Sequence, residues 1–194
     1  TEIRFIAAEA GLSGFIVSAD LVKVFEAADL DAGSYKALIG IGTDHGLTYD
    51  LEALMAAADP QRPDARGNDD ELRIVKFTSG TTGTPKGCMG THRECMFNVM
   101  SYLIAQPYGK RDVCGLIISL GSGLGSYLLT THAFGQSRTV IMNTVKPGEV
   151  LDTIAAEGIT RFTAVPTMIA SIIAEQEARP RDLSSLELIG YTGS

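Results

Sequence analysis

The sequence predicts an α/β fold built on a mostly parallel sheet flanked by helices. Short β-branched runs alternate with amphipathic stretches whose apolar residues recur three and four apart, the rhythm of parallel strands joined by helices. The 194 residues and 45% hydrophobic content supply one good core, and 20% charged residues with 21 glycines suit a globular chain rather than a disordered or fibrous one. No internal repeat or low-complexity tract is present, which sets aside solenoids and coiled coils.

The elements follow in order. A helix is expected over Glu2–Ala10, then strands over Gly14–Val17 and Lys36–Ile41 and a helix over Tyr49–Ala58. Residues 61–71 are polar, with a proline, a glycine and several charges, and read as an exposed connection between a first portion, 1–60, and a second, 72–194. The second portion is expected to carry strands at Leu72–Phe77, Val113–Ile118, Thr139–Met142, Arg161–Ala164 and Leu186–Tyr191, with helices at Arg93–Ala105, Val150–Glu157 and Thr167–Glu177. Thr192-Gly193-Ser194 then reads as the loop after a last strand, with no covering helix. The expectation is an incomplete portion of a larger domain, cut where a ligand loop would lie.

A formal charge of −7 and no basic stripe argue against nucleic acid or an anionic membrane surface as partner. A small phosphorylated ligand remains open, because a few backbone N–H groups and one lysine can neutralise it locally. Cys88, Cys95 and Cys114 are odd in number with no CxxC spacing, so reduced thiols in a cytoplasmic setting are expected. No apolar run approaches about 20 residues, and no targeting signature opens the chain. His45, His92 and His132 are too scattered for a metal centre, with His92 expected to shape a helix start and His132 to lie on a buried helix. Cys88 reads as a small buried hydrophobe, and Asp69, Asp70 and Glu71 as a solvated charge run.

The chemistry concentrates in Phe77-Thr78-Ser79-Gly80-Thr81-Thr82-Gly83-Thr84-Pro85-Lys86-Gly87, which follows an apolar strand. Its glycines allow positive φ and close backbone approach, its hydroxyls and N–H groups can face phosphate oxygens, and Lys86 adds a full positive charge. The spacing is not GxxxxGK[ST], so the P-loop of Ras-like proteins is excluded. An ordinary Gly/Thr hairpin loop is the alternative.

This run resembles the phosphate-loop signature of the adenylate-forming superfamily of acyl- and aryl-CoA synthetases, peptide-synthetase adenylation domains and luciferases. Ile3–Leu21, Cys88–Arg93 and Gly158–Ile173 with Val165-Pro166-Thr167 are also similar to stretches of that family. The resemblance implies that a carboxylate attacks the α-phosphorus of ATP, pyrophosphate leaves and a thiol takes the acyl group. It gives Thr78, Ser79, Gly80, Thr81, Thr82, Gly83, Thr84 and Lys86 to the phosphates, with Lys86 and Mg²⁺ stabilising the transition state, and places Thr192, Gly193 and Ser194 against adenine and the acyl floor. The thiol is expected on coenzyme A. A carrier protein, or a non-catalytic nucleotide-binding module, are the rival expectations. Family members also have a magnesium-binding acidic segment, a ribose-binding aspartate and a mobile domain with a catalytic lysine; these do not appear, so the 194 residues alone are expected not to turn over. Oligomeric state is left open.

One departure bears on the acid. Where many members have Pro-Leu-x-His-x-x-Gly, this chain reads Ser119-Leu120-Gly121-Ser122-Gly123-Leu124-Gly125, with Ser122 in the histidine place. That is similar to aryl-CoA ligases and implies a pocket at Ser122, Gly123 and Gly125 that takes an aromatic or cyclic acid. Equally, glycines at such a turn can serve only to pack a helix tightly on a sheet.

Overall fold

The computed structural model describes residues 2–61, 63, 67–78 and 85–191. The backbone groups into two compact units, 1–68 with 73–89 and 69–72 with 90–194. The division expected from the sequence placed everything from residue 72 onward in the second portion, whereas here residues 73–89 group with the first unit.

In the first unit, helix α1 (Glu2–Glu9) leads into strand β1 (Gly14–Ser18), a short helix α2 (Val22–Glu26), strand β2 (Ala37–Ile41), strand β3 (Tyr49–Asp50) and helix α3 (Leu51–Ala57). Strands β1, β2 and β3 form a parallel sheet, with Gly14 opposite Ala37 and Ile39 opposite Tyr49. Val17, Phe25 and Leu38 are its buried core, and Phe15 packs edge-on against Phe25 and Tyr35 with ring centroids 5.0 Å apart in each pair. The helix expected from Tyr49 starts two residues later. Asp50 is held extended as its N-cap, with Oδ1 accepting from the Ala53 N–H at 2.7 Å, and the residues before Leu51 pair with β2 instead. Strand β4 (Leu72–Thr78) and strand β5 (Lys86–Thr91) make a separate two-stranded sheet.

The second unit holds helix α4 (His92–Ala105), strand β6 (Val113–Leu116), helix α5 (Gly123–Phe134), strand β7 (Arg138–Ile141), helix α6 (Pro147–Glu157), strand β8 (Arg161–Ala164), helix α7 (Pro166–Ala178) and strand β9 (Leu188–Tyr191). Its four strands are parallel in the order β7-β6-β8-β9. Local chemistry fixes the helix ends. Thr91 caps α4 by accepting from the Glu94 N–H at 3.1 Å, and prolines occupy the first turns of α6 and α7, where no N–H is needed. Gly158 closes α6 at φ 62°, a left-handed conformation that a Cβ would strain. On α6, Val150, Leu151 and Ile154 are fully buried and meet Ile117, Ile159, Phe162 and Ile172, making the main core on one face of the sheet. Asp69 and Asp70 are engaged: the Arg93 guanidinium at the start of α4 donates to Asp70 at 2.8 Å and lies 3.8 Å from Asp69, an exposed pairing that contributes little stability.

Opposite the carboxyl ends of these strands, charge is buried deliberately. The Arg161 Nε lies 2.8 Å from Asp112 Oδ1, its Nη1 donates to the Pro107 carbonyl at 2.9 Å, and the guanidinium stacks over the Tyr108 ring at 5.1 Å. His132, expected on a buried helix, is only 3% exposed, with its ring 5.1 Å from that of Tyr108. Burial, reinforced by the Arg161 charge, pulls its pKa from the ordinary 6.5 down to about 4. Below pH 6.5 the unfolded chain protonates this histidine while the folded chain does not. The stability that neutral His132 confers is therefore complete above about pH 6.5 and is lost as pH falls towards 4. Urea unfolding midpoints of the wild type should fall across that window more steeply than those of His132→Gln.

Candidate functional site

Strand β4 ends at Thr78 and β5 begins at Lys86, and the two strands pair as a two-stranded sheet. Thr78 and Lys86 are both exposed, and among the described residues no carboxylate forms an ion pair with the Lys86 ammonium. Ser79, Gly80, Thr81, Thr82, Gly83 and Thr84 lie outside the described residues, as do Thr192, Gly193 and Ser194. Gly87 has a packing reason: a Cβ there would stand 3.0 Å from the Val75 side chain and 3.3 Å from the Phe77 ring. Two residues past Lys86, Cys88 is exposed on β5, not the buried hydrophobe that its sequence neighbours suggested; Lys86, Gly87, Cys88 and Met89 are all exposed, so this stretch of β5 has no covered face.

Within the second unit, a separate candidate region lies at the carboxyl ends of the four parallel strands. From β6 the chain crosses to β7 on one side, and from β8 it continues to β9 on the other, so β6 and β8 flank the topological switch point, where open α/β sheets bind ligands. The turn leaving β6 is Ser119-Leu120-Gly121-Ser122. Ser122 caps α5: its hydroxyl accepts from the Gly125 N–H at 3.0 Å and donates to the Ser119 carbonyl at 2.7 Å. Gly125 is buried, and a Cβ on it would stand 2.1 Å from the Ser119 carbonyl oxygen. The packing reason for a glycine is thus met at 125, while Gly123 opens the helix beside the turn. Gly125→Ala should destabilise the protein by about 1–3 kcal/mol through that backbone clash, measured by urea unfolding.

A cleft of about 390 Å³ runs beside this turn, lined by Ile118, Ser119, Leu120 and Gly121 after β6 and by Asn143 and Thr144 after β7. The turn after β7 was not singled out in the sequence; its signal was a polar Asn-Thr pair directly behind a β-branched strand. Among the described residues no group of three His, Cys, Asp or Glu side chains converges to hold a metal, and no helix is long and apolar enough to cross a membrane.

The AMP-binding enzyme family matches residues 1–194, the whole chain, and the protein belongs to that family. Feruloyl-CoA synthase from Amycolatopsis sp is 34% identical over 136 residues, covering 69% of this chain and 27% of that protein. Medium/long-chain-fatty-acid–CoA ligase FadD8 from Mycobacterium tuberculosis is 27% identical over 198 residues, covering 98% of this chain and 34% of its own length. The chain therefore spans about a third or less of these curated relatives. The inhibitor-bound N-terminal domain of FACL13 from Mycobacterium tuberculosis superposes with a TM-score of 0.87 at 21% identity, over 100% of this chain and 48% of that one. The fold is thus that of the N-terminal domain of adenylate-forming CoA ligases, as the sequence led us to expect.

Proposed function

We propose that the protein to which this chain belongs activates a carboxylic acid with ATP as an acyl-adenylate and passes the acyl group to coenzyme A. The observation that carries this reading is the family match over the whole chain together with the intact Thr78–Gly87 run, delivered between β4 and β5 with Lys86 exposed. Hydroxyls of Thr78, Ser79, Thr81, Thr82 and Thr84 and the backbone N–H groups at Gly80 and Gly83 would grip the β- and γ-phosphates. Lys86 would neutralise the charge that grows on pyrophosphate as it leaves, which makes its contribution larger in the transition state than in the bound substrate. Mg²⁺, carried in on the phosphates of ATP, would share that neutralisation. Thr192, Gly193 and Ser194, following β9, would lie against adenine and the acyl group.

Ser122 and Gly123, with Gly125 behind them, leave the wall of the acid pocket low, and this favours an aromatic or cyclic acid. A feruloyl-CoA synthase, 34% identical over 136 residues, supports that preference. The free thiols Cys88, Cys95 and Cys114 suit a reducing, cytoplasmic compartment. The 194 residues alone would not complete the reaction.

The test is thioester formation by the full-length protein, with mass detection, over ferulate, benzoate and straight-chain acids and with either coenzyme A or a phosphopantetheinyl carrier protein as acceptor. Aryl-CoA products are expected. Transfer to the carrier protein alone would replace coenzyme A in this reading, and nucleotide binding with no product from any acid would overturn it.

A further inference from the structure

Within the first unit, helix α1 touches the strand that leads into the phosphate run through a single pair of rings. On β4, Lys76 and Thr78 are exposed while Phe77 between them is half-buried, the alternation of a strand with one packed side. The Phe77 ring meets Phe5 of α1 edge-on, with centroids 6.3 Å apart and planes at 80°. It also lies against its cross-strand neighbour Gly87, where a Cβ would stand 3.3 Å from Phe77 Cζ and 3.0 Å from Val75 Cγ1. Phe77 directly precedes Thr78 and Gly87 directly follows Lys86, so one ring links the two ends of the run. Helix α1 is itself anchored. The Arg4 guanidinium donates to the Ala28 carbonyl at 2.9 Å and to the Asp29 carbonyl at 2.7 Å, and Ala7 is buried. Among the described residues, neither Phe5 nor Phe77 packs against the Val17, Phe25 and Leu38 core, so the pair seats β4 on α1 and adds nothing to the parallel sheet.

We infer that Phe5 is a positioning residue for the phosphate site: it acts through Phe77 to hold Thr78 and Lys86 where the leaving pyrophosphate needs them. This rests on the acid-activating function proposed above. Donors that stabilise a transition state do so only when they are already in place, and a displacement of about 1 Å can cost about 10²-fold in rate. Thr78 and Lys86 are exposed and have no packing of their own to fix them. Their place is set by the residues beside them, Phe77 and Gly87, and Phe5 is the side chain by which the anchored helix holds that pair.

The experiment is a double-mutant cycle in the full-length protein, with Phe5→Ala, Phe77→Leu and the two combined, reading adenylate formation from ATP and the best acid of the panel above. Phe5→Ala should lower kcat/KM for ATP by about tenfold, the upper range for one aromatic pair, while KM for the acid stays within about twofold. Phe5→Tyr, which keeps the ring edge, should stay within about twofold of the wild type. In the Phe77→Leu background, Phe5→Ala should cost less than about twofold, because the ring through which it acts is gone. The same tenfold loss in both backgrounds, no change in kcat/KM for ATP, or a rise in KM for the acid as large as that for ATP would each overturn the inference while leaving the proposed function standing. A wild type that adenylates no acid removes the proposed function, and this inference with it. Should Phe5→Ala not fold, Phe5→Leu removes the ring at smaller loss of volume and is read by the same cycle.

Discussion

Lys86→Ala in the full-length protein should slow adenylate formation by about 10²–10³-fold, the loss expected when one preorganised charge-stabilising group is removed from a transition state. The ammonium is exposed at the head of β5, directly after the hydroxyl-rich loop, and no described carboxylate forms an ion pair with it, so its charge remains available to phosphate. An effect on the chemical step appears in kcat as well as in kcat/KM, whereas the dissociation constant of the acid should hardly move. Single-turnover formation of adenylate, set beside direct acid binding, separates the two. Lys86→Arg, which keeps charge but changes its shape and reach, should recover only part of the rate. An unchanged rate in Lys86→Ala would remove Lys86 from the phosphate site.

Ile154→Ala should destabilise the protein by about 2–5 kcal/mol. Ile154 is wholly buried on α6, one turn past Val150 and beside Leu151, in the cluster with Phe162 and Ile172 that seats β8 against α6 and α7. Deleting its outer carbons removes apolar contact and leaves a space that these neighbours can only partly close. Urea unfolding followed by far-UV circular dichroism measures the change, and a shift of the midpoint at constant slope would assign it to native-state packing. Because β8 leads to Val165-Pro166 at the switch point, loosening this core should loosen that turn before the fold is lost.

The parts of the fold that the sequence disclosed are those in which one period dominates. Strands β1, β2, β4, β7 and β8 hold β-branched or aromatic residues and fall within one residue of their expected bounds, and α6 and α7 carry apolar residues three and four apart behind a proline that starts each helix. Strand β5 was missed because Lys86-Gly87-Cys88-Met89-Gly90-Thr91 has two glycines and one β-branched residue; its pairing partner β4, and not its own propensity, makes it a strand. Helix α5 was expected only as the buried helix that carries His132, without bounds. Its residues Leu128, Thr131 and His132 are buried while Gly123 and Gly125 stand at its start, so neither a clean polar face nor helix propensity marks it. The strand expected to run to Ile118 stops at Leu116, because the chain must already turn towards the Ser122 cap.

The candidate site was legible where backbone chemistry writes itself into residue type. Glycines, hydroxyls and a lysine in Thr78–Gly87 are the residue types that a phosphate loop needs, and that made the run the candidate in the sequence. Ser122 and Gly125 were noticed, but only the geometry separates their duties: Ser122 ties the turn to α5 with two hydrogen bonds, and Gly125 is a glycine because the Ser119 carbonyl leaves it no room.

The most direct test of the central claim is carboxylate-dependent exchange of labelled pyrophosphate into ATP by the full-length protein. Adenylate formation is reversible, so exchange that begins only when an acid is added, and needs no thiol, is the predicted result; it should be strongest with an aromatic acid. ATP binding with no exchange for any acid in the panel would contradict the account.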